Sequence, residues 1–145
     1  MSTHEEVSFQ ARSSSQGATF EEMVARQLEF VDGWTVKDRH FSVDGFEVDI
    51  VADDPWGVEH WIECKGADGK SQRKPGLLDG TTAKVTVGVA WFLSTRDDRH
   101  PYIVWTSHLP KPGTNAHTII TEGVRHGIIH DVRTLGPAIS MEVEQ

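Results

Sequence analysis

From Phe46 to Gly66 the chain reads FEVDIVADDPWGVEHWIECKG, and Asp49, Glu63 and Lys65 interrupt two runs that otherwise suit a sheet. Side chains alternate across a strand. Glu47 and Asp49 therefore share one face of the first run, with Phe46, Val48 and Ile50 on the other. In the second run Glu63 and Lys65 share a face, with Ile62 and Cys64 opposite. If the runs pair through the turn at Pro55-Trp56-Gly57, Asp49, Glu63 and Lys65 meet at one end of a hairpin. Two carboxylates and the backbone carbonyl of Cys64 suit a hard divalent ion such as Mg²⁺ or Mn²⁺. A lysine ammonium beside that ion can hold a water and help deprotonate it, and phosphodiester hydrolysis needs both parts. The plainer alternative is a cross-strand salt bridge on a solvated face. Against it, like-charged carboxylates on one sheet face repel each other.

The elements that must hold these groups follow from periodicity and punctuation. A helix is predicted from Thr19 to about Val31, with Thr19 and Glu22 at capping-box spacing and Gly33 as the stop. Phe20, Val24, Leu28 and Val31 form its apolar stripe. Trp34, Val36 and Phe41 mark one strand, and Asp44-Gly45 turns it into a second from Phe46 to about Ala52. Val58 to Lys65 completes an antiparallel meander. The segment GADGKSQRKPG reads as a basic, glycine-rich loop. After it, Leu77 to about Leu93 is predicted helical despite its β-branched residues. PYIVWTSHLP is a strand between prolines, AHTIITEGVRHG a helix, and IIHDVRTLG a short last strand. The order is helix, three strands, helix, strand, helix, strand, an α/β fold with a mixed sheet.

In this setting EVDIVA, a short turn and WIECKG resemble the D-x(n)-E-x-K core of the PD-(D/E)XK nucleases, which have the restriction-endonuclease-like fold. The resemblance spans roughly Gly17 to Leu109. The proline that names the motif is absent, since Val48 precedes Asp49. It implies a metal-dependent nuclease acting on DNA, with Asp49 and Glu63 on Mg²⁺ or Mn²⁺ and Lys65 positioning the attacking water. Many members add a glutamate from the first helix. With Phe20 at 0°, Glu21 falls near about 100°, at the edge of the apolar stripe, and Glu22 near about 200°, so Glu21 is the choice. The segment after the E-x-K strand should flank the metal, which makes Lys70, Gln72, Arg73, Lys74 and Lys84 candidate phosphate contacts. With no separate sequence-reading domain, a homodimer like that of resolvases and restriction enzymes is a further expectation. A catalytically silent nuclease-like fold, used to bind nucleic acid or protein, is the other function class that stays open.

Composition bounds these readings. The chain has 145 residues, 37% hydrophobic and 25% charged, as expected of one globular domain: an arm at 1–17 and a nuclease-like domain at 18–145. The net charge of -8 argues against a surface that attracts nucleic acid as a whole. It leaves room for a local site, because acids that hold a metal count towards it. One cysteine, Cys64, excludes an internal disulfide and a cysteine-built zinc site, and fits a cytoplasmic protein. Its place opposite the charged face makes it a packing residue. No run approaches the length of a membrane span, and the N-terminus lacks the pattern of a signal peptide. His126 and His130, four apart, read as an exposed pair. Trp34, Trp61, Trp91 and Trp105 read as core, and Trp56 as an exposed turn residue.

Overall fold

The computed structural model describes residues 17–66 and 74–135. Helix α1 (Gly17–Phe30) leads into strands β1 (Thr35–Val43), β2 (Phe46–Asp53) and β3 (Glu59–Lys65). A 3-10 turn (Gly76–Leu78), helix α2 (Gly80–Ser94), strand β4 (Tyr102–Thr106), helix α3 (Asn115–Arg125) and strand β5 (Asp131–Arg133) follow. The five strands form one mixed sheet in sequence order. β1, β2 and β3 run antiparallel, β4 is parallel to β3, and β5 is parallel to β4. This is the α/β order expected from the sequence. No helix among the described residues is long and apolar enough to cross a membrane.

Local chemistry accounts for the joints. Asp44 and Gly45 both take positive φ, at 50° and 85°, which a two-residue hairpin turn of the I′ kind requires. The next turn is tied by Asp54, whose carboxylate accepts from the backbone N–H of Trp56 and of Val58, each at 2.9 Å. Asp79 caps α2 by accepting from the Thr81 N–H at 2.9 Å, and Thr114 caps α3 by accepting from His117 N–H at 3.2 Å. These caps satisfy N–H groups that have no partner inside the helix. Gly33, at φ 78°, ends α1 as expected, and Trp34 N–H reaches back to the Leu28 carbonyl at 2.8 Å.

The sheet is buried on both faces. Phe20, Val24 and Leu28 of α1 pack with Ile50, Ile62, Ile103 and Trp105. Ala83 and Ala90 of α2 and Ile120 of α3 pack with Val48, Val51, Trp61 and Val104. Adjacent strand residues such as Trp61 and Ile62 thus serve opposite layers.

Four expectations need correction. The helix starts at Gly17, so Thr19 lies within it and is not its cap, and Glu22 pairs with Arg39 at 3.0 Å instead. Val31 lies just past the last turn of α1 and is 69% exposed, so the stripe ends at Leu28. Trp91 is 60% exposed rather than core. Helix α2 is apolar nearly all round, so its sequence does not say which side meets the sheet. Finally, Val48 and Ile50 do not share a face, because they belong to the two different layers. His40, opposite Asp49 between the rungs Arg39↔Ile50 and Phe41↔Val48, has φ 55°. That left-handed residue breaks the alternation at this point.

Candidate metal centre

The β2–β3 ladder ends at Ile50↔Ile62. One step further, the Cys64 N–H donates to Oδ2 of Asp49 at 2.8 Å. A side-chain carboxylate thus replaces the backbone acceptor that another rung would offer, and the strands part around it. Burial first and then the charge of Glu63 push the Asp49 carboxyl up to about 7 from an ordinary 3.8, against the lowering effect of the Cys64 amide. Glu63 is held on both oxygens. Oε1 accepts from the Tyr102 hydroxyl at 3.2 Å, and Oε2 lies 3.2 Å from Lys65 Nζ. Tyr102 is buried on β4, which runs parallel to β3 with Trp61 beside Tyr102. Burial raises its phenol well above the ordinary range, with Glu63 adding to the effect, so the hydroxyl remains a donor.

A second group of side chains reaches Asp49 from the other side. Glu21, on α1, is 7% exposed. Its Oε2 accepts from Arg39 Nε at 3.1 Å and Nη2 at 2.6 Å, and lies 3.0 Å from His40 Nε2. His40 Nδ1 lies 2.6 Å from Oε1 of Glu47. Glu47 first and Glu21 next raise the imidazole above its ordinary value. One ligand atom each from Glu21, His40 and Asp49 falls within 4.8 Å of the others.

The structure therefore brings Asp49, Glu63, Lys65 and Glu21 to one region, with Glu21 buried and Glu22 half-exposed. Cys64 packs with the α1 layer, and burial, with Asp49 next, raises its thiol well above its usual value. It is no nucleophile. Lys74 and Lys84 are exposed, and no ion pair ties either to these acids among the described residues. Lys70, Gln72 and Arg73 lie outside the described residues. His126 caps the end of α3, and His130 packs its ring 5.8 Å from that of His60, so the pair forms no site.

Sequence reasoning missed Arg39, His40 and Tyr102. Only Tyr102 had a visible signal: a tyrosine hydroxyl at the start of an apolar run needs a partner once buried. The donor set of carboxylates with one imidazole fits a divalent cation. Among the described residues Asp49 has no lysine or arginine within ion-pair distance, since Lys65 lies on Glu63 and Arg39 on Glu21 and Glu22.

No protein-family model and no curated protein matches the chain. Two solved structures are similar to it. One is a complex of EndoMS with dsDNA, at TM-score 0.46 and 17% identity over 80% of this chain and 44% of that one. The other is Pyrococcus furiosus SfsA in complex with Ca²⁺, at TM-score 0.49 and 17% identity over 90% of this chain and 64% of that one. The chain spans less than two thirds of the length of either.

Proposed function

We propose that the chain is a divalent-metal-dependent nuclease of the PD-(D/E)XK type that hydrolyses phosphodiester bonds in DNA. The observation that carries this reading is Asp49, a half-buried carboxyl beside Glu63 at the point where two strands part, raised to about 7. Two acids packed so closely share a proton or need a positive charge beside them, and of the two only Glu63 has Lys65 in ion-pair contact. Asp49, Glu63 and the Cys64 carbonyl are the ligands assigned to Mg²⁺ or Mn²⁺, with Glu21 completing the shell directly or through water.

When bound, the cation supplies neutralisation of the phosphate and a more acidic water. Lys65 Nζ donates to the attacking water, which orients a lone pair towards phosphorus and stabilises the oxygen as it loses its proton. Tyr102 fixes the oxygen of Glu63 that Lys65 does not touch. Lys74 and Lys84, with Lys70, Gln72 and Arg73, are assigned to phosphate contacts. DNA is preferred as substrate on the resemblance of EVDIVA and WIECKG to nucleases that act on it.

The Arg39 fork on Glu21 favours a second reading, because it already puts a protein cation on one ligand. In that case the fold is a silent binding module. A cleavage gel together with calorimetry separates the two. The protein is incubated with supercoiled plasmid, linear duplex, single strands and a four-way junction, with Mg²⁺, Mn²⁺ or EDTA, beside Lys65→Ala. Metal-dependent cutting that disappears in Lys65→Ala supports the nuclease. Metal uptake in calorimetry without cutting of any substrate points to a missing partner or an untried substrate, and absence of both sinks the metal-enzyme reading and leaves the silent binding module.

A further inference from the structure

His40 is a non-glycine residue held at φ 55° in the middle of β1, and its two ring nitrogens have different neighbours. Nδ1 lies 2.6 Å from Glu47 Oε1, and Nε2 lies 3.0 Å from Glu21 Oε2. Histidines that bind metals almost always give their other ring N–H to a carboxylate, a backbone carbonyl or a water, which fixes the tautomer and aims the free lone pair. Glu47 stands in that place behind His40. With Nδ1–H donated to Glu47, Nε2 points its lone pair at Glu21 Oε2, an oxygen whose charge Arg39 already meets, and a cation bound beside them would use that lone pair. Asp49 brings a third ligand atom within 4.8 Å of the other two. Arg39 already donates to Glu21 Oε2, so Oε1 is the oxygen Glu21 has left to offer.

We propose that Glu21, Nε2 of His40 and Asp49 ligate one divalent cation, with Glu47 orienting the imidazole, and that this nitrogen makes the centre select a first-row transition ion over Mg²⁺. The proposal rests on reading Asp49 as a metal ligand. It adds a ligand from β1 that the D-x(n)-E-x-K pattern does not contain. Mg²⁺ takes oxygen ligands and keeps its waters, whereas first-row transition ions, Mn²⁺ the weakest binder among them, also take imidazole. The competing arrangement is an imidazolium that donates to Glu21 and Glu47 at once, a pure ion pair with no nitrogen to give a metal.

Mn²⁺ and Mg²⁺, each alone, are titrated calorimetrically into the metal-free full chain at a pH above that of imidazole, and the Mn²⁺ complex is examined by pulsed EPR. The variants are His40→Gly, in which glycine suits the left-handed backbone, together with Glu63→Gln and Glu47→Ala. The expected result is Mn²⁺ binding about tenfold or more tighter than Mg²⁺, and nitrogen modulation in the Mn²⁺ signal. His40→Gly should lose the modulation and weaken Mn²⁺ binding by about 10- to 100-fold, with Mg²⁺ binding little changed. Glu63→Gln should keep the modulation. Absence of nitrogen modulation in the wild type, or unchanged Mn²⁺ affinity in a folded His40→Gly, overturns the proposal. If Asp49→Asn still abolishes metal uptake in that case, the nuclease reading stands without it. No binding of either ion by the wild type overturns both. Should His40→Gly fail to fold by circular dichroism, Glu47→Ala decides, and unchanged Mn²⁺ affinity there is equally fatal.

Discussion

Asp49 takes a backbone amide with one oxygen and sits half-buried beside Glu63, so in the metal-free protein its charge opposes folding. The sign follows from its two pKa values. Unfolded, the carboxyl loses its proton near 3.8; folded, it keeps it to about 7. The folded state thus binds the extra proton, and stability falls as pH rises through that window and levels off above it. Asn at this position still accepts from the Cys64 N–H and carries no charge. Asp49→Asn should therefore stabilise the metal-free protein by about 2 kcal/mol above pH 7, with the gain shrinking towards pH 4. Urea melts across pH measure it, and a variant less stable at every pH would make Asp49 a structural acid. Asp49, Glu63 and Lys65 were legible in the sequence because charge at period two inside an apolar run conflicts with burial. Arg39 and His40 were not, because DRHFS carries no glycine or asparagine to announce the left-handed residue that reverses the strand's faces.

The elements place Glu21 by a contact between a strand end and a helix. Gly66 follows β3 directly, and a Cβ added there would lie 2.3 Å from Cγ of Phe20, the buried residue that precedes Glu21 on α1. The close approach lets α1 lie across the end of β3 and bring Glu21 towards Asp49. Gly66→Ala must displace Phe20 or the strand end, at a cost of about 1–3 kcal/mol. The displacement passes to Glu21, so metal affinity should fall together with stability. Calorimetry on the folded variant checks this. Full metal affinity despite lower stability would remove Glu21 from the shell. The meander itself was legible, since Asp44-Gly45 and Pro55-Trp56-Gly57 both specify tight turns by backbone chemistry. The exposure of Trp91 was not, because a helix with apolar residues all round leaves its docking face to the partners it meets, α3 and the sheet.

Across the whole molecule, 14 basic and 22 acidic residues give the net charge of -8, so a duplex meets repulsion over most of the surface. The candidate centre repeats this imbalance locally, with Glu21, Glu47, Asp49 and Glu63 against Arg39 and Lys65. A divalent cation there cancels the local excess and lets a phosphate approach. Metal and DNA should consequently bind cooperatively, and linkage requires each to raise the affinity of the other by the same factor. In Lys65→Ala, used so that the duplex stays uncut, fluorescence anisotropy should show DNA binding about tenfold tighter with Mn²⁺ than with EDTA. Calorimetry of the same variant on DNA should show Mn²⁺ affinity raised to match. Binding should also weaken with salt, as expected when basic side chains meet phosphates. If DNA binds as tightly in EDTA, the phosphates do not contact the acidic centre. Exposed Lys74 and Lys84 then become the first residues to substitute, and the chain's contact with DNA is separate from its metal.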